Sequence, residues 1–230
     1  MATTLMAIAA HPGDAVFTMG AAVAQHIHNG GKGVFLALTA GEKGAPAGIP
    51  VERYGEMQRE ASGKAAKLLG AEFEVLNYPD AEIPLSDSAA QALSDAIRQH
   101  RPDIVVTHWS GSWHKDHQNC HLLVRDGIFY AGLATMNRKD PPHSVRKLFF
   151  ADNWEDDENF KADTYLDITA VYEKWVEACE AYPMWRGQTG FRYNDYYSSL
   201  AVMRGCLSGF RHAVALMSNP AERTRRVSAL

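Results

Sequence analysis

The stretch that decides the fold is Leu5-Met6-Ala7-Ile8-Ala9-Ala10-His11-Pro12-Gly13-Asp14. Its first six residues are an unbroken apolar run, far short of the ~20 needed to span a bilayer, and a turn cluster ends it. Such a run reads as a strand buried on both faces, the signature of a parallel sheet. From Asp14 the pattern becomes helical (DAVFTMGAAVAQHIH), with an acidic residue at its start and Gly30-Gly31 at its close.

Outward from this unit the alternation continues. Apolar runs at 33–39, 73–77, 103–107 and 145–150 read as strands, separated by helical patterns at 51–69, 86–99 and about 116–133. Gly70 and Ser86 stand where a C-cap and an N-cap belong. Strands spaced by single helices predict an α/β fold: a Rossmann-like parallel sheet flanked by helices, with right-handed crossovers. Beyond about residue 152 the rhythm changes. A short strand at 165–168, a helix at 170–182, a glycine- and tyrosine-rich loop and a last helix at 197–216 are expected there. The reading is one domain over 1–230, with a core to about 152, a helical and loop extension from about 153, and a basic tail from 220 that frays.

Composition narrows the partners. The 230 residues carry 23 Lys and Arg against 27 Asp and Glu, a net charge of −4. That balance argues against nucleic acid or an anionic membrane, both of which favour basic surfaces. A small-molecule substrate remains. Three cysteines, Cys120, Cys179 and Cys206, make no disulfide framework and suit a reducing compartment. The N-terminal apolar run lacks the basic flank of a signal peptide. The expectation is a cytoplasmic protein.

In an open parallel sheet, ligands bind beyond the carboxyl ends of the strands, where the strand order reverses. With the order 3-2-1-4-5, the first and fourth strands flank that crevice. His11 and Asp14 follow the first; His114, Asp116 and His117 follow the fourth. Two clusters about a hundred residues apart are thereby brought together. Imidazole and carboxylate are zinc's ligand types, and two His with one Asp leave the ion net positive, able to acidify bound water. Taken singly, His-Pro-x-Asp is an ordinary turn and cap, and His-x-x-His two surface histidines. Their joint placement is what points to a metal.

At these residues the chain resembles the PIG-L/LmbE superfamily of zinc-dependent de-N-acetylases. Ala10-His11-Pro12-Gly13-Asp14 and His114-Lys115-Asp116-His117 are similar to its two signatures, and Thr39–Gly44, Arg59-Glu60-Ala61 with Leu69-Gly70, and Tyr78-Pro79-Asp80 extend the likeness. The resemblance implies Zn²⁺ held by His11, Asp14 and His117. It implies that His114, oriented by Asp116, stabilises the oxyanion and protonates the leaving group. It also implies a sugar-like substrate contacted by Asp80 and by the region of Arg53 and Arg59. Asp80 reads equally as a turn residue, and the arginines as a solvated helix face.

One position departs from the pattern. Where the deacetylases carry the general base, this chain has Gly13, which cannot accept a proton. Glu42, at the end of the second strand, is the substitute expected from its place beside the crevice. The same loop glutamate suits a hydratase branch of the superfamily, which lacks that aspartate too. Three readings stay open: amide hydrolysis, hydration of an unsaturated small carboxylic acid, and a metal-binding homologue without turnover. Trp109 and Trp113 flank the second cluster as pocket walls or as loop anchors. The run 185–197 (WRGQTGFRYNDYY) has the make-up of a rim or of a homo-oligomer interface.

Overall fold

The first strand is the centre of the molecule. In the computed structural model, which describes residues 2–220, β1 (Thr4–Ala9) is buried from Leu5 onward. It is hydrogen-bonded in parallel to β2 (Lys32–Thr39) on one side and β4 (Ile104–Thr107) on the other. β3 (Glu72–Tyr78) flanks β2, and β5 (Lys147–Ala151) flanks β4, both parallel. The sheet is completed by β6 (Thr164–Asp167) and β7 (Ala213–Ser218) in the order β3-β2-β1-β4-β5-β7-β6. The expected order 3-2-1-4-5 is present, with its reversal between β1 and β4.

The two faces of β1 divide the core. Leu5, Ala7 and Ala9 pack with α1 (Pro12–Phe17), α2 (Gly20–His28), α3 (Val51–Leu69) and α6 (Tyr172–Cys179). Met6, Ile8 and Ala10 pack with α4 (Asp87–His100) and α5 (Lys115–Gly132). Gly70 ends α3 in the left-handed region at φ 81°, and the Ser86 hydroxyl caps α4 by accepting the Ala89 N–H.

Three expectations are corrected. The helix after His11 is broken: Thr18 turns both its N–H and its hydroxyl to the Asp14 carbonyl, ending α1 before α2 begins. The helix expected at 170–182 stops at Cys179, and a 3-10 turn over Pro183–Arg186 follows. The last helix is α7 (Tyr193–Ser208), closed by Gly209 at φ 79°; the residues after it are β7, antiparallel to both β5 and β6. The run Ala213–Met217 is short and wholly apolar, so its periodicity alone does not separate strand from helix. The tail from residue 221 lies outside the described residues. Among these, no helix is long and apolar enough to cross a membrane.

Candidate metal centre

β1 and β4 pair only as far as Ala7 and Val106. Past that point their side chains take over. The Thr107 hydroxyl donates to the Ile8 carbonyl at 2.8 Å, and the buried His108 accepts the Ala10 N–H at 3.1 Å. The strand ends part, and the chains carrying the two clusters leave on either side of the gap.

His11 is the N-cap of α1 with extended backbone (φ −124°, ψ 155°), and Pro12, in the first turn, supplies the fixed φ that a helix start favours. Asp14 lies in that first turn, where the helix dipole favours a carboxylate. His114 caps α5 by accepting the Asp116 N–H on Nδ1, and His117 follows in the first turn. Asp14 Oδ2 is 2.9 Å from His11 Nδ1 and 3.0 Å from His117 Nε2, and the two nitrogens are 3.4 Å apart. Donors at about 2.0–2.1 Å from a tetrahedral zinc lie about 3.3–3.4 Å from one another. The three expected ligands therefore present a fitting donor set.

Carboxylates stand behind both imidazoles. His11 Nε2 is 3.1 Å from Asp80 Oδ1 and 3.6 Å from Asp116 Oδ2; His117 Nδ1 is 3.0 Å from Glu155 Oε2. Histidine ligands commonly pass their second ring hydrogen to a carboxylate in this way. Burial alone makes an imidazole harder to charge, but the opposing carboxylates win here. They push His117 up to about 9 and His11 well above the usual histidine range. Burial likewise opposes ionisation of Asp14, yet the facing His117 and His11 hold it well below the ordinary carboxylate range. His114 moves the other way, lowered by burial and then by the charges of His117 and His11. Four carboxylates, Asp14, Asp80, Asp116 and Glu155, surround the two imidazoles, and among the described residues Asp116 Oδ1 is buried without a hydrogen-bond partner. A divalent cation fits these residues.

Other groupings of possible donors are present: His11 with His114 and His117, Asp14 with His108 and His117, and His11 with Asp80 and Asp116. The second is weakened because the Ala10 N–H already occupies His108 Nε2. In the third, Asp80 Oδ2 and Asp116 Oδ2 accept the Lys43 and Ala81 N–H groups.

The centre opens into a cleft of about 320 Å³ whose lining includes Gly13, Lys43, Asp80, His114, Trp154, Glu155, Met184 and Tyr193. The expected substrate and base residues divide. Asp80 lines the cleft, but its oxygens serve His11 and the Lys43 N–H. The tie between Asp116 and His114 is the Asp116 backbone N–H, while the carboxylate faces Ala81 and His11. Glu42 does not enter the cleft. Its Oε1 accepts the Asp80 N–H at 2.8 Å, and the residue lines a neighbouring shallow groove with Arg59. Arg53 is exposed and paired with Glu56 and Glu60. Helix α3 turns both arginines away from the cleft and presents Tyr54 and Gln58 to it instead.

Sequence reasoning missed Glu155. It sits in the segment following β5, at the same carboxyl edge as the two clusters, and that position was the available signal.

The family model described as GlcNAc-PI de-N-acetylase (PIG-L) matches residues 6–128. The chain is 24% identical over 229 residues to a diacetylchitobiose deacetylase of Thermococcus kodakarensis, covering 94% of this chain and 83% of that protein. It is 26% identical over 210 residues to a 4-oxalmesaconate hydratase of Pseudomonas putida, covering 87% and 79%. The crystal structure of the 4-carboxy-2-hydroxymuconate hydratase from Pseudomonas putida KT2440 matches with a TM-score of 0.86 at 21% identity, over 99% of each chain. With a family match over more than half its length, and both halves of the donor cluster on the expected strand ends, this chain belongs to the PIG-L family.

Proposed function

We propose that this protein is a zinc-dependent N-deacetylase that removes an acetyl group from an amide nitrogen on a small sugar-like molecule. The observation carrying this reading is the mutual spacing of His11 Nδ1, Asp14 Oδ2 and His117 Nε2, all within 3.4 Å at the floor of a cleft. The curated relative from Thermococcus kodakarensis supports the substrate class. His11, Asp14 and His117 would hold the zinc, which would supply Lewis acidity and an acidified water at this site.

The chain's own groups supply the rest. His114 keeps its proton on Nε2, because Nδ1 accepts the Asp116 N–H, and its ring lines the cleft. From there it donates to the acyl oxygen as negative charge develops. Asp80 and Glu155 hold the rings of His11 and His117 in the ligating tautomers. Gly13 leaves the usual base position without a carboxylate. Of the two cleft carboxylates behind the ligands, Asp80 has both oxygens engaged, whereas Glu155 uses Oε2 on His117. Glu155 is the group we assign to take the proton from the attacking water and to return it to the amine nitrogen as the C–N bond breaks, so that acetate and the free amine leave. Trp154 and Tyr193 wall the cleft against bulk solvent.

One observation favours a second reading. A Cβ at Gly13 would stand 3.4 Å from Phe17 and 3.6 Å from Met184, so the side chain is absent without being sterically barred. A site relieved of that acid suits hydration of an unsaturated small carboxylic acid, the chemistry in the name of the 26%-identical relative. Purified protein with and without zinc, offered N-acetyl sugars and unsaturated dicarboxylates, separates the two. Acetate release that chelation abolishes supports deacetylation. Loss of the alkene absorbance without acetate, from the zinc-loaded protein, replaces it with hydration.

A further inference from the structure

His108 is buried at the parting of β1 and β4 and is not one of the assigned ligands, yet it touches both halves of the centre. Its Nε2 accepts the N–H of Ala10, the residue before His11. The carbonyl of that same Ala10 is held from the other side by the N–H and hydroxyl of Thr39. The His108 ring stacks on the ring of His117, with centroids 3.9 Å apart and 13° between the planes. His114 stacks on His117 as well, at 4.5 Å and 16°, so two imidazoles pack against the ligand's ring. The His108 carbonyl accepts from His121 Nδ1 at 3.0 Å, which ties it to α5, the helix that carries His117.

We propose that His108 is a positioning residue: its Nε2 fixes the peptide that delivers His11, its ring face fixes His117, and metal affinity depends on it although it is not a ligand. Beyond Val106 there is no strand pairing to satisfy the Ala10 N–H, and a buried N–H left alone is costly. A nitrogen accepting that bond has its lone pair spent, so it does not coordinate a cation. The proton of the neutral ring is then on Nδ1. In this way one side chain lets the strands separate, which opens the crevice, while still linking the two chain segments that supply donors.

The proposal rests on the metal reading above, and the test separates the two. Zinc affinity is measured by chelator competition on the whole chain for wild type, His108→Phe and His108→Gln, with circular dichroism and melting of the metal-free proteins alongside. Phe keeps a ring against His117 and loses the acceptor; Gln places an amide oxygen near the Nε2 position. The Phe variant is expected to bind zinc roughly 10–100-fold more weakly at unchanged fold, with the Gln variant recovering most of the loss. Wild-type affinity in the Phe variant overturns the proposal. If wild type itself binds no zinc, the metal reading is what fails. Nitrogen-15 spectra of the wild-type histidine rings cover the case of a Phe variant that does not fold. His108 is expected to stay Nδ1-protonated and to keep an unligated Nε2 when zinc is added. A metal-induced shift at that nitrogen makes it a ligand and overturns the proposal.

Discussion

The two ends of the sheet divide the work of the centre unequally. The parallel part, β1 to β4 with the turns that follow, supplies every assigned donor: His11, Asp14 and His117. The part beyond β5, which ends in the antiparallel β7 and β6, supplies none of these. It contributes Glu155 behind His117 and the walls Trp154, Met184 and Tyr193. The comparison teaches that ligand identity is a property of strand ends, whereas charge balance and enclosure come from chain that wraps back over them.

Substitutions on the two sides should therefore differ in size. The largest effect is expected on the donor side. Asp14→Ala removes the one oxygen facing both imidazoles, and zinc binding and zinc-dependent turnover should both be lost; isothermal titration and acetate assay check this. A variant that still loads zinc and turns over breaks the division at once.

Glu155→Gln comes next. It keeps the shape of the wall but removes the charge behind His117 Nδ1. Zinc affinity should fall roughly 10–100-fold, and turnover at saturating zinc by roughly 10²–10⁴-fold if Glu155 also takes the proton. Weakened zinc with unaltered turnover would confine Glu155 to holding the ring. Glu42→Gln is the companion variant. A glutamine oxygen still accepts the Asp80 N–H, so turnover should stay within several-fold of wild type. A large loss with zinc retained would return the base to Glu42 and to the loop after β2.

The pH dependence sharpens the same contrast. His117 titrates at about 9 and His11 above the usual histidine range in the metal-free chain, so both carry protons at neutral pH. Ligation must displace them. Zinc binding at pH 7 should release about two protons per ion, and affinity should rise with pH. Proton release in a weakly buffered titration reads this directly; a value near zero would mean that the two imidazoles are already neutral before the ion arrives.

The smallest effect is expected outside the donor set. Asp156, following Glu155, is raised to about 8, mainly by burial, and among the described residues its Oδ1 is buried without a hydrogen-bond partner. A carboxyl whose folded pKa lies above its unfolded value of 3.8 contributes stability below that value and loses it as pH rises through about 8. Asp156→Asn should leave the melting temperature of the metal-free protein unchanged near pH 4 and raise it near pH 8. A fall at pH 8 contradicts this account of Asp156.

Much of the parallel part was legible in the sequence, because buried strands write continuous apolar runs and glycine or serine marks the helix ends. The meeting of the two clusters followed from strand order, and the choice of His117 within the second came from the family resemblance. Side-chain direction did not. Nothing in the sequence says that Glu42 turns to the Asp80 N–H, or that α3 shows Gln58 to the cleft and turns Arg59 to the groove beside it. These depend on rotation about one helix axis and on a single loop hydrogen bond. β7 was misread because five apolar residues after Gly209 carry no period, and its partners β5 and β6 lie about 65 and 50 residues upstream.

The central claim is that two imidazoles and one carboxylate from the ends of β1 and β4 hold a single cation. Zinc K-edge X-ray absorption on the purified, zinc-loaded protein tests it most directly. Two imidazole nitrogens with oxygen donors and no sulfur, falling to one imidazole in His117→Ala, is the predicted result. An unaltered spectrum in that variant, or a shell containing sulfur, would contradict it.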